Sequence, residues 1–149
     1  MRQILFMVRN KVITTSLQLS ALKSMYGGVG SVNHEQMIWQ SQITPTAISD
    51  TYCVQVKYKI GFRPHVYIKS PNPLPLAQGA KRLPHIWDEK KQEICLFRPE
   101  YQEWTGTMLM AKTLMHWAIQ WLVYYESWLY TGVWQGGGHG NPDVPKNET

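Results

Sequence analysis

The chain has 149 residues, 44% hydrophobic and 17% charged, with seven Trp and eight Tyr. That is the size and composition of one globular domain with a single core, and it excludes a disordered segment. Fifteen Lys and Arg against ten Asp and Glu give a formal charge of +5 spread along the chain. Without a basic block beside exposed aromatics, no nucleic-acid surface is expected.

Residues 1–10 mix apolar residues with Arg2 and Arg9 and read as a short strand or a lead-in. Ile4 to Val8 is too short an apolar run for a secretory signal, so a cytoplasmic setting with reduced thiols is expected. Leu17, Leu19, Ala21, Leu22 and Met25 recur at helical spacing before Gly27-Gly28, which predicts a helix over about 14–26. Gly27 to His34 reads as loop. Residues 37–43 alternate, with Met37, Trp39 and Ser41 sharing one side, and form a predicted strand ended by Thr44-Pro45-Thr46.

Residues 52–60 alternate most cleanly. Tyr52, Val54, Val56, Tyr58 and Ile60 share one face, while Cys53, Gln55, Lys57 and Lys59 share a wetter one. After a turn at Gly61 to Pro64, residues 65–69 supply the next strand, completing an antiparallel meander. Ser70-Pro71-Asn72-Pro73-Leu74-Pro75 then forbids a central strand or a helix interior. Residues 70–104 are predicted to be a long, irregular but pinned excursion, the kind of loop that carries function.

Over residues 107–130, Leu114, Trp117, Trp121, Tyr125 and Trp128 form an apolar stripe, and Lys112, His116 and Gln120 a polar one. This predicts a helix with a packed face and argues against a membrane span. The aromatic stripe reads as core, and His116 as a helix-surface residue. Gly132 stops the helix, and the Gly-rich tail over 135–149 is read as flexible or as wrapping the surface.

Within the excursion, Leu83-Pro84-His85-Ile86-Trp87 leads through a charged run to Ile94-Cys95-Leu96-Phe97. A thiol at the seam of a polar loop and an apolar run can be half exposed yet firmly held, as a nucleophile requires. The competing reading is a cysteine that fills core space. Cys53, on a strand face, reads as structural or incidental. The two cysteines fit no paired metal-ligand spacing, and no two of the five histidines lie at helical or knuckle spacing, so neither metal nor cofactor is expected.

The order of helix, meander, proline-rich excursion with a cysteine, and C-terminal helix resembles that of ubiquitin-conjugating enzymes. His85 precedes Cys95 by ten residues, Ile94-Cys95-Leu96 stands as in that family, and Trp104 follows where the family carries a tryptophan before its next helix. The resemblance implies an α+β, ubiquitin-conjugating-enzyme-like single domain, its core at about 14–130. Trp87 fills the position of the family's oxyanion-supporting Asn. Backbone N–H groups around 92–96 are then the first donors to consider, and His85 either fastens the loop or supports the oxyanion.

A narrower likeness rests on Leu-Pro-His-Ile-Trp, Ile-Cys-Leu-Phe-Arg-Pro, Glu103-Trp104 and the segment from Trp121 to the Gly-Gly-Gly-His run. It is similar to the ubiquitin-conjugating-enzyme-like proteins of bacterial cyclic-oligonucleotide-based antiphage signalling systems (CBASS), in the stand-alone form without an activating-enzyme domain. That resemblance implies that Cys95 takes the C-terminus of a cGAS-like nucleotidyltransferase as a thioester and passes it to an amine of a target protein. Asp88, Glu89 and Glu93 are acidic residues near the thiol, read as a solvated face, and Lys90 and Lys91 as ordinary surface lysines. The alternative is a non-catalytic module of the same fold that docks on the nucleotidyltransferase.

Overall fold

The structure, a computed structural model, describes residues 11–136. The predicted lead-in at 1–10 and the tail from 137 onward lie outside the described residues. In chain order the elements are α1 (Thr15–Tyr26), β1 (Val29–Asn33), β2 (Gln36–Ile43), β3 (Tyr52–Lys59), β4 (His65–Ser70), β5 (Ile86–Asp88), β6 (Glu93–Ile94) and α2 (Leu114–Thr131). Short 3-10 turns lie at Pro99–Tyr101 and Met110–Lys112. Among the described residues this is an α+β arrangement of one antiparallel six-stranded sheet, ordered β1-β2-β3-β4-β6-β5, with one helix before the strands and one after them.

Helix α1 begins where the pattern predicts because the Thr14 hydroxyl accepts the Leu17 N–H at 3.2 Å. Its buried face is Thr15, Gln18, Leu19 and Leu22, while Leu17 and Met25 point to solvent. The buried Gln18 amide is used at both ends. It donates to the Met108 carbonyl at 2.8 Å and accepts from the Met110 N–H at 2.9 Å.

That clamp corrects one prediction. Residues 107–113 are not the first turns of the last helix, because Gln18 holds their backbone in a turn of its own. Thr113 closes the segment by donating to Leu109 and accepting from the Trp104 indole. Helix α2 starts only at Leu114.

The sheet buries the predicted face. Trp39 pairs with Val56, Val56 with Val66, and Val54 with Ile68, and the four positions of β2 (Met37, Trp39, Ser41, Ile43) and the four of β3 (Tyr52, Val54, Val56, Tyr58) on this face are all buried. Two expectations fail here. Residues 27–34 are not all loop, since Val29–Asn33 pair with β2 as an edge strand. Cys53 is not on a wet face either: it stands between Gln42 and Ser70 and is buried, as is Gln55, whose amide donates to Gln40 at 3.0 Å.

Helix α2 lays Leu114, Met115, Ala118, Trp121, Leu122, Tyr125 and Trp128 into the core. Tyr125 packs edge-on against Tyr52 and donates its hydroxyl to the Pro75 carbonyl, so the helix secures both the sheet and the proline-rich segment.

Candidate active site

The excursion predicted over 70–104 is pinned, but not irregular throughout. Its second half folds into the small β5–β6 hairpin, which extends the sheet beyond β4 through the Tyr67–Glu93 pair. Gln92, just before β6, has a positive φ of 53° and a fully buried side chain. Its amide accepts from Leu74 N–H at 2.7 Å and donates to the carbonyls of Ile68 and Pro71 at 2.9 Å each. One side chain thus satisfies backbone groups of a proline-rich segment that cannot satisfy them by pairing.

The three acidic residues near the thiol turn out to be committed. Glu93 is buried and binds Arg63 at 2.7 Å, with His65 Nδ1 2.8 Å from the same oxygen. Glu89 accepts the Leu83 N–H, and Asp88 accepts the Lys91 N–H across the hairpin turn. Each therefore shapes the loop rather than merely facing solvent.

Cys95 follows β6 directly. Its N–H donates to the His85 carbonyl at 3.0 Å, and the Trp121 indole of α2 donates to that same carbonyl at 3.0 Å. His85 adopts a positive φ of 47°, uncommon for a residue with a side chain, and this turn aims its carbonyl at both donors. The predicted pair is thereby brought together: backbone joins His85 to Cys95, and the ten-residue interval between them is the length of the hairpin. The same bond withdraws the Cys95 N–H from the set of backbone donors considered for an oxyanion.

Trp87 points elsewhere. It is a partly exposed residue of β5 with the Arg63 guanidinium 5.2 Å over its ring, and it does not line the space around Cys95.

That space is a cleft of about 400 Å³ lined by His85, Cys95, Leu96 and Glu103, by Trp117, Gln120, Trp121 and Tyr124 of α2, and by Trp134 and Gly136. Cys95 is only 3% exposed and so is not the half-exposed thiol predicted. Its Sγ lies 4.0 Å from the Phe97 carbonyl. Burial pushes the thiol up to about 11, overcoming the opposite pull of the Arg98 and Arg63 guanidiniums; Glu103 and Glu93 push it the same way as burial. At neutral pH the group is a thiol, not a thiolate. Cys53 is likewise a buried free thiol, raised by burial, and lines none of this cleft.

Four cleft residues share one face of α2: Trp117, Gln120, Trp121 and Tyr124 fall at i, i+3, i+4 and i+7. Reading the aromatic stripe as core accounts for Trp121 and Trp128, but Trp117 is half-buried and opens onto the cleft. The signal that could have separated them is Gln120, the polar-stripe residue that borders Trp117 and Trp121 and whose amide donates to Tyr124 at 2.9 Å. Glu103 and Trp134 carried no such signal, since they reach the cleft from turns. His116 is exposed on α2, as predicted. Trp104 is buried, edge-on to Tyr58 with centroids 5.4 Å apart, and locks the chain between the cysteine and α2.

Among the described residues, no group of three or more His, Cys, Asp or Glu is placed to hold a metal ion, and no helix is long and apolar enough to cross a membrane.

Fold and cleft together define an α+β domain that holds one thiol beneath an aromatic helix face. Over residues 18–142 the chain matches the family described as Type II CBASS E2 protein, E2-CBASS, and it belongs to that family. No curated protein matches it.

Proposed function

We propose that the protein is a cysteine-dependent acyl carrier and transferase of ubiquitin-conjugating type, acting in antiphage cyclic-nucleotide signalling. Cys95 accepts the C-terminus of a cGAS-like nucleotidyltransferase as a thioester and passes it to an amine of a target protein. The observation that carries this reading is the position of Cys95 at the end of β6, its backbone fastened to His85 and its side chain in a cleft that also holds Glu103, Gln120 and Tyr124. Membership of a Type II CBASS E2 family supports it.

The chemistry needs a C-terminal carbonyl that arrives activated, as an acyl adenylate or as a thioester on an activating protein. Cys95 gives up its thiol proton to water or to the departing thiolate, its sulfur adds to that carbonyl, a C–S bond forms, and adenylate or thiolate leaves with the bonding electrons. A lysine amine then adds, a C–N bond forms and the C–S bond breaks, returning the sulfur as thiolate. With Trp87 turned away and the Cys95 N–H engaged, the side-chain donors lining the cleft include the Gln120 amide, the Tyr124 hydroxyl and the His85 imidazole. Glu103 is the carboxylate in the lining, and on this reading it takes the amine proton. Co-expression of the protein with the nucleotidyltransferase and a protein that supplies its C-terminus as an adenylate or thioester, followed by intact-mass measurement, tests this. The wild type gives a covalent adduct and Cys95→Ala gives none, whereas an adduct that survives in the Ala variant sinks the proposal.

The burial of Cys95 and the rise of its pKa favour a second reading, a non-catalytic module that docks on the nucleotidyltransferase. On that reading Cys95→Ala leaves both complex formation and signalling unchanged.

A further inference from the structure

Helix α2 ends at Gly132, whose φ of 74° is the left-handed conformation that reverses the chain. Its N–H donates to the Trp128 carbonyl at 2.7 Å, and the Thr131 hydroxyl holds Val133 through both its N–H and its carbonyl at 3.2 Å. The reversal sends residues 133–136 back along the helix toward the cysteine. Trp134 lands on the cleft, stacked on the His85 ring at 4.8 Å and 22°, with Trp121 at 5.6 Å and Tyr124 at 5.8 Å. Gly136 follows in so close an approach that a Cβ there would come within 2.5 Å of Tyr124 and 2.7 Å of the Trp134 indole nitrogen.

We propose that residues 132–136 form a strap that closes the Cys95 cleft, so that the thiol is reached only when Trp134 lifts from His85. Four observations converge on it. The strap lines the same cavity as the sulfur. Cys95 is almost wholly covered, although it lies just past the end of the two-residue strand β6 and not in a long central strand. The strap is seated through three ring contacts and one glycine, rather than by strand pairing. Its neighbour Val133 is exposed, so the attachment is local to Trp134 and Gly136.

A seat built from stacked rings around one tryptophan can open as a unit without disturbing the sheet. With the strap in place burial keeps the thiol protonated; with it lifted, water and the nearby guanidiniums favour the thiolate. Resting on the thioester reading, the strap and the incoming acyl donor compete for this seat, and the donor must displace the strap to reach sulfur.

Alkylation of the full-length protein with iodoacetamide tests the strap, with labelling of Cys95 and Cys53 followed separately by peptide mass spectrometry. Cys53 lies on β3 outside the cleft and reports general loosening of the domain. Trp134→Ala is expected to speed labelling of Cys95 by about tenfold or more while Cys53 stays within about twofold of wild type. Unchanged labelling of Cys95, or a parallel rise at both cysteines, would overturn the strap. Should Trp134→Ala fail to fold, Gly136→Val carries the same expectation, because its side chain has no room beside Tyr124. Faster labelling of Cys95 with no acyl transfer from an activated donor would leave the strap standing and remove the thioester reading.

Discussion

Strands β2 and β3 run for eight residues each and pair along their whole length, whereas β5 and β6 have three and two residues and a broken register. The meander end is held by apolar burial between Trp39, Val54, Val56 and Ile68. The cysteine end is held by single polar groups: the side chains of Gln92 for the proline-rich segment, Glu93 for Arg63 and His65, and Glu89 for the loop before His85, and the His85 backbone carbonyl for Cys95 and Trp121. Apolar packing tolerates small shifts because it has no direction, while a buried amide with three partners fixes its neighbours in one arrangement. The difference teaches where precision is needed. The sheet supplies a platform, and directional bonds place the thiol on it.

Trp39→Ala should break the platform. The residue is fully buried and its indole donates to the Gly27 carbonyl, so a loss of about 3–5 kcal/mol is expected in urea unfolding. Glu103→Gln leaves the platform alone and addresses the chemistry. Transfer from Cys95 to an amine should slow by on the order of a hundredfold, with thioester formation retained, if the carboxylate takes the amine proton. Gln92→Ala sharpens the contrast by stripping partners from Leu74 N–H and from the Ile68 and Pro71 carbonyls. It should cost about 2 kcal/mol of stability, and Cys95 should become more reactive to iodoacetamide than Cys53 does.

A smaller effect follows from the raised pKa of Cys95. Its proton is held more tightly in the folded chain than in the unfolded one, from an ordinary value of 9.0 up to about 11. The stabilisation it contributes is therefore complete below about pH 9 and lost as pH rises toward 11. The wild type should lose more stability over that interval than Cys95→Ala, in urea melts at matched pH. Cys53→Ala is expected to do least, about 1 kcal/mol of stability and no change in conjugation, because the residue is buried in the platform and outside the cleft.

The platform was largely legible in the chain itself. Alternation over 37–43 and 52–60 and the Thr14-to-Gly27 helix are local patterns, and the structure follows them within a residue or two. What escaped has physical causes. Strand β1, Val-Gly-Ser-Val-Asn, is an edge strand exposed along almost its whole length, so it carries no apolar alternation to read. The β5–β6 hairpin is too short for any period, and its existence depends on Gln92 and on pairing with β4. The late start of α2 was set from 90 residues away by Gln18.

Of the cleft, the His85–Cys95 interval could be read directly. The burial of the thiol could not, since the cleft that holds it is lined in part by Trp134, some forty residues further along the chain.

The proposed thioester on Cys95 is most directly tested by the lability of the adduct formed with a cGAS-like nucleotidyltransferase when a protein that activates its C-terminus is supplied. For the wild type, the adduct should be cleaved by excess thiol at neutral pH, and Cys95→Ser should give one that resists thiol but yields to mild base, as an oxygen ester does. A thiol-resistant adduct in the wild type that persists unchanged in Cys95→Ala would contradict the account, because the bond would then be an amide formed without Cys95.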